Sequence, residues 1–194
     1  MLSGVGGDRR ARSVQLMNTD MSDWRITFAD TGVSSNIGQR LQAAEPYLDG
    51  DEVFLANYAD GLTDLHLPSL LEHFERCGKV ANFVSPRPNL SYHAVSVNGD
   101  GLVNRITAIT DTDLRVNGGY FLFHREIFDY LCSGEELVQE PFQRLIEAKQ
   151  LLAYPYDGFF ACMDTFKDKQ HLEDLYARGK APWEVWRTNG RPHP

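Results

Sequence analysis

Apolar residues fall along the chain in short blocks whose spacing switches between a period of two and one near 3.6, which predicts alternating strands and helices. Residues 14–17 and 24–29 read as strands, and a Gly-, Ser- and Asn-containing loop at 31–36 leads into a helix over 37–48. Residues 53–58 are mostly apolar and stop at Ala59-Asp60-Gly61, the pattern of a buried strand ending on a carboxylate. Pro68 opens a helix that runs through Leu71 and Phe74 to Gly78. Residues 80–84 form a strand broken by Ser85-Pro86-Arg87-Pro88, and Asn98-Gly99-Asp100-Gly101 predicts a hairpin. A strand at 120–123 runs into a helix at 125–131, and residues 141–149 are amphipathic. Strands follow at 151–156 and 159–163, and a long helix over 165–178 closes at Gly179.

This alternation predicts an α/β fold: a mixed, mainly parallel sheet with helices on both faces and sites at strand ends. Residues 1–12 hold three glycines and three arginines and read as an irregular lead-in; residues 13–194 read as part of a single domain. With 194 residues, 42% of them apolar and 11% aromatic, the chain can bury a sizeable core. A net charge of −8 argues against nucleic acid or a membrane surface as the main partner, so a phosphate ligand needs a local basic patch or a metal. Cys77, Cys132 and Cys162 are widely spaced and signal neither a disulfide framework nor a zinc site, which fits reduced cytoplasm. No apolar run is long enough for a membrane span.

Asp60, at the end of a buried strand and followed by Gly61, can point into the crevice where α/β sheets bind ligands, with Asp64 four residues on. It reads either as a Mg²⁺ ligand, since that ion takes one or two carboxylates and fills its shell with water and phosphate oxygens, or as a turn or cap aspartate. Asp164, just before the helix near Thr165, carries the same choice between ligand and N-cap. The loop holding Ser35 and Asn36 opens a helix whose N-terminus favours an anion, and Arg40 can add a charged contact; any loop and cap needs similar residues. Asn117-Gly118-Gly119 lets a ligand approach the backbone or simply bends it. The Gly-rich opening at residues 3–9 lacks the preceding strand of a phosphate loop, and the six histidines are scattered.

Together these segments form an ordered series. Asp30-Thr31-Gly32 through Gly38-Gln39-Arg40-Leu41, then Phe54 to Tyr58 with Ala59-Asp60-Gly61, then Asn117-Gly118-Gly119-Tyr120-Phe121, then Met163-Asp164-Thr165 with Asp168-Lys169, and finally Gly179-Lys180-Ala181-Pro182-Trp183 resemble sugar-phosphate nucleotidyltransferases of the glucose-1-phosphate cytidylyltransferase type, over residues 24–186. The resemblance implies a Rossmann-like nucleotidyltransferase fold and transfer of a nucleotidyl group, CMP from CTP, to glucose 1-phosphate with release of pyrophosphate. It implies Asp60 and Asp164 as catalytic Mg²⁺ ligands, Ser35, Arg40 and Ala59 as nucleotide contacts, and Asn117 and Gly118 as sugar contacts. A homo-oligomer and a role in polysaccharide biosynthesis accompany the family.

Three departures bear on this expectation. The Gly-Gly-x-Gly-Thr-Arg loop and Lys-Pro that such enzymes carry in their N-terminal region are absent, so the chain reads as N-terminally truncated, with exposed apolar edges and marginal stability. The Glu-Lys-Pro before Asn-Gly-Gly is replaced by residues 110–115, leaving Arg115 or Arg105 as candidate phosphate cations of different geometry. Ala59 stands where glycine is common. A truncated, inactive partner subunit is the alternative. A glycosyltransferase is disfavoured because Asp111-Thr112-Asp113 lies in a polar stretch rather than at a strand end.

Overall fold

The computed structural model describes residues 25–89 and 91–188. A boundary between two compact units falls after Asp30. In the first, residues 25–30 form no strand, and Phe28 is 84% exposed. The strand expected over 24–29 is thus corrected across its described part: Ile26 and Phe28 alternate, but alternation without a ladder partner makes no strand. The lead-in at 1–12 and the strand at 14–17 lie outside the described residues.

The second unit is built on a four-stranded mixed sheet of order β1 (Val53–Asn57), β6 (Tyr120–His124), β3 (Ala81–Pro86) and β7 (Leu151–Tyr156). β6 runs antiparallel to both its neighbours while β3 and β7 are parallel, so β1, β3 and β7 share one direction. Their C-terminal ends and the start of β6 therefore meet along one edge. A two-stranded ribbon of β2 (Gly61–Thr63) and β8 (Phe160–Cys162) adjoins that edge, and the hairpin β4 (His93–Val97) and β5 (Val103–Ala108) forms a third, separate sheet.

Helices cover both faces. On one, α1 (Ile37–Ala44) and α3 (Glu140–Glu147) contribute Leu41, Phe142 and Leu145 to a core that includes Phe54, Phe121 and Phe123. On the other, Leu70 and Phe74 of α2 (Leu67–Cys77) pack with Val84 and Leu122. Alternate residues of one strand serve opposite cores, as Phe121 and Leu122 show. Pro68 sits in the first turn of α2, and Gly78 ends it in the left-handed conformation at φ +57°. The last elements are α4 (Phe166–Ala177) and the short α5 (Val185–Thr188).

Two expected helices differ. The one over 37–48 stops as an α-helix at Ala44 and continues as a 3₁₀ turn at Glu45–Tyr47, because Pro46 has no N–H to donate. The segment after β6 is also 3₁₀, over Arg125–Tyr130. β1 has β6 on one side and no strand on the other among the described residues, and Leu55 is 52% exposed. An apolar cleft of about 210 Å³ lies beside β1, lined by Ile37, Ala44, Ala56 and Phe121.

Candidate active site

The site is assembled where β1 turns into β2. Tyr58, Ala59, Asp60 and Gly61 make a turn whose closing bond, Gly61 N to Tyr58 O, is long at 3.5 Å. β2 pairs with β8 so that Gly61 lies opposite Cys162, and the Met163 amide donates to the Asp60 carbonyl at 2.9 Å. That register brings the backbone of Asp60 against Met163, next to Asp164, although the two aspartates are about 100 residues apart in sequence. The Cys162 thiol between them is held above its ordinary range, first by burial and then by the negative charge of Asp164, Asp60 and Asp168. A cleft of about 220 Å³ opens beside Asp164, lined also by Pro88, Asn89, Phe160, Cys162 and Asp168. A larger cavity, about 340 Å³, lies against the β4–β5 hairpin; it holds the candidate cation Arg105 with Asp111 and Asp113, and none of Ser35, Arg40, Ala59, Asp60, Asn117, Gly118 or Asp164.

Asp164 does not cap the helix that follows it. Thr165 is the N-cap: its hydroxyl accepts from the Asp168 amide at 3.2 Å, and the Asp168 carboxylate accepts from the Thr165 amide at 2.9 Å. The Thr165 hydroxyl also donates to the Asp168 carboxylate at 2.6 Å, and that bond first, with the Thr165 amide second, holds the Asp168 carboxyl below the usual carboxylate range. Among the described residues, the carboxylates of Asp60 and Asp164 accept no hydrogen bond. Asp64 is different, because it accepts from the Tyr156 hydroxyl and from the Phe159 amide at 2.8 Å. It ties the ribbon to the end of β7, so it is structural rather than a metal candidate. Those contacts push the Tyr156 phenol up, by burial first and the Asp64 contact second.

The loop before α1 is braced from within. The Ser35 hydroxyl donates to the Thr31 carbonyl, and the Arg40 guanidinium reaches the Thr31 hydroxyl at 3.0 Å and the Val33 carbonyl at 3.3 Å. Asn36 and Gln39 form a capping box, and the Asn36 amide group donates to the Gly134 carbonyl at 2.9 Å. A Cβ on Gly38 would stand 2.4 Å from the Glu135 carbonyl oxygen, so only glycine allows α1 to approach this segment.

Gly118 and Gly119 are both buried, and each is required by close packing within the protein. A Cβ on Gly118 would meet Pro86 at 2.8 Å, and one on Gly119, at φ +69°, would meet the Tyr58 ring at 2.3 Å. Asn117 is exposed and accepts from the Gly119 amide at 2.9 Å, and burial pushes the nearby Tyr58 phenol up. Ala59 is exposed in the turn. Arg115 is engaged by protein groups: it donates to the carbonyls of Ser85 and Tyr156 and, with Arg87, to Asp157. Arg105 binds Thr107 on the hairpin. Sequence reasoning overlooked Tyr120, whose hydroxyl donates to the Gly61 carbonyl at 2.7 Å; its only signal was its place in the Asn-Gly-Gly-Tyr block.

The donor set suits a hard divalent cation. Two carboxylates that accept no hydrogen bond among the described residues could supply oxygen ligands, and burial holds the neighbouring Cys162 thiol above its ordinary range. Among the described residues, no three His, Cys, Asp or Glu side chains converge. Two are what Mg²⁺ asks of a protein when substrate phosphates complete its shell.

The chain folds as a mixed sheet with helices on both faces and carries two aspartates near the strand-end edge of that sheet, and in sequence it is similar to curated glucose-1-phosphate cytidylyltransferases. It is 32% identical over 164 residues to the glucose-1-phosphate cytidylyltransferases of Salmonella typhimurium and Salmonella typhi, covering 84% of this chain and 64% of each relative. The chain thus spans just under two thirds of the curated relatives it matches. No protein-family model matches it. Solved structures of like fold include a Bacillus anthracis protein assigned as a glucose-1-phosphate thymidylyltransferase, at TM-score 0.55 and 12% identity, covering 74% of this chain and 62% of that one. HddC from Yersinia pseudotuberculosis, solved with GMP-PN, aligns at TM-score 0.51 and 14% identity, over 73% and 62%. No helix among the described residues is long and apolar enough to cross a membrane.

Proposed function

We propose that this chain carries the acceptor and metal-binding half of a sugar-1-phosphate nucleotidyltransferase site, acting in the cytoplasm on CTP and glucose 1-phosphate in nucleotide-sugar and polysaccharide synthesis. The observation that supports it most is the convergence of Asp60 and Asp164 on the β2–β8 ribbon, each carboxylate without a protein hydrogen bond among the described residues. Mg²⁺ bound there by Asp60 and Asp164 would neutralise charge on the triphosphate. The chain's own residues do the positioning. Ser35, Arg40 and Ala59 are the proposed nucleotide contacts, with Ser35 and Arg40 exchanging their internal loop bonds for the ligand, and Asn117 and Gly118 are the proposed sugar contacts, of which Asn117 is the exposed one. Phosphoryl-type transfer needs alignment more than a protein nucleophile: a phosphate oxygen of the sugar attacks the α-phosphorus, and the bond to the pyrophosphate oxygen breaks. The acidic total charge is consistent with a metal carrying much of the neutralisation. Homo-oligomer formation belongs to the same proposal.

Isothermal titration of CTP with Mg²⁺ into the 194-residue chain tests this, with Asp60→Asn and Asp164→Asn beside it. Binding by the wild type that each variant loses supports the reading. A folded wild-type chain that takes up no CTP overturns it.

A further inference from the structure

Among the described residues Asp60 has no side-chain hydrogen bond to aim it, and the turn that carries it closes through a bond of 3.5 Å. Its direction is therefore set by whatever holds the backbone on either side. Three bonds do so. The Tyr58 amide donates to the Gly119 carbonyl at 2.9 Å, the Asp60 carbonyl accepts from Met163 at 2.9 Å, and the Gly61 carbonyl accepts from the Tyr120 hydroxyl at 2.7 Å.

The third is the unusual one. Because Asp60 and Met163 are hydrogen bonded across the ribbon, Gly61 and Cys162 fall at the next, non-bonded position, where backbone groups point away from the partner strand. The Gly61 carbonyl thus faces away from β8 with no ladder partner, and the phenol of Tyr120, the first residue of β6, meets it there. The Tyr120 ring lies over Gly61, where a Cβ would stand 3.3 Å from its edge, so a side chain at 61 would crowd the ring that delivers the hydroxyl. This one bond fastens the ribbon bearing both aspartates to the main sheet at the point nearest Asp60.

We propose that Tyr120 is a positioning residue for the metal site, its hydroxyl fixing the Asp60–Gly61 peptide so that the Asp60 carboxylate is held ready beside Asp164. This deepens the proposed function and rests on it.

Tyr120→Phe keeps the ring and removes only the hydroxyl. Amide hydrogen exchange and Mn²⁺ binding in the presence of CTP, followed by electron paramagnetic resonance, are measured on the 194-residue wild type and variant. Expected are roughly tenfold faster exchange at the Gly61 and Met163 amides, unchanged exchange at Leu122 and Phe123, and Mn²⁺ affinity lowered about five- to tenfold. Tyr156→Phe provides the contrast, since it removes a phenolic bond at the other end of the same ribbon; it should loosen the Phe159 amide and leave Mn²⁺ affinity as in the wild type. Unchanged exchange at Gly61 and Met163 overturns the proposal, as does equal loss of affinity in both tyrosine variants. Absence of Asp60-dependent Mn²⁺ binding in the wild type overturns the functional reading instead, while the exchange data still decide whether Tyr120 fixes the turn.

Discussion

Gly38→Ala offers a test in which local propensity and packing predict opposite signs. Gly38 is the second residue of α1, and alanine is favoured over glycine in a helix by about 1 kcal/mol. The added methyl, however, would stand 2.4 Å from the Glu135 carbonyl oxygen, a backbone atom that moves only with its segment. Reaching ordinary contact requires a displacement approaching ~1 Å, and overpacking of this kind costs about 1–3 kcal/mol. The shift also strains the Asn36–Gly134 hydrogen bond, worth about 1 kcal/mol. Packing therefore wins by about 2 kcal/mol, which at a urea slope of about 2 kcal/mol/M lowers the unfolding midpoint by about 1 M. Gly78→Ala is the comparison: its φ of +57° is unfavourable for alanine, but nothing stands within 4 Å, so the cost is about 1 kcal/mol. Urea denaturation followed by circular dichroism would refute the reasoning if Gly38→Ala unfolded at or above the wild-type midpoint.

Asn82 is wholly buried with neither side-chain polar atom bonded among the described residues, so Asn82→Leu should raise the urea midpoint, by about 1–2 kcal/mol of stability; a lower midpoint would reveal a polar partner. Asp157 is held below the usual carboxylate range by hydrogen bonds from Arg115 and then Arg87. A depressed carboxyl contributes stability that is complete above its unfolded pKa and lost as pH falls through its folded value. Thermal midpoints should therefore drop below about pH 4, and less steeply in Asp157→Asn; equal slopes would contradict the assignment. The edge of β1 that has no strand partner among the described residues predicts concentration-dependent association that Leu55→Lys reduces, read by light scattering at two protein concentrations.

Periodicity made β1, α2, the β4–β5 hairpin, β7 and α4 readable, because each is long enough or bounded sharply enough to show its period. It could not show that β6 runs against its neighbours, since side-chain alternation is the same in either direction. β2 is three residues, Gly-Leu-Thr, too short to show a pattern, and it exists because β8 pairs with it. At the site, the sequence reading left Asp164 open between ligand and N-cap, and the structure gives the cap to Thr165, whose capping-box partner is Asp168. The structural duty of Asp64 was not, because its partners Tyr156 and Phe159 lie more than ninety residues away. Arg115 likewise looked available only because carbonyl acceptors leave no mark in a sequence.

The strand order of the main sheet also sets when the protein can fold. Phe54 lies opposite Phe123 and Asn82 is level with Leu152, pairs about 70 residues apart, and even the β3–β6 pairing spans about 40. Among the strand pairs of the described residues, the hairpin alone closes locally. On a ribosome, β1 would emerge and wait through most of α2, β3 and the hairpin before its partner appeared, with its apolar residues uncovered meanwhile. Slow refolding with a hairpin formed early, and a demand for chaperone protection during synthesis, follow from that order of strands.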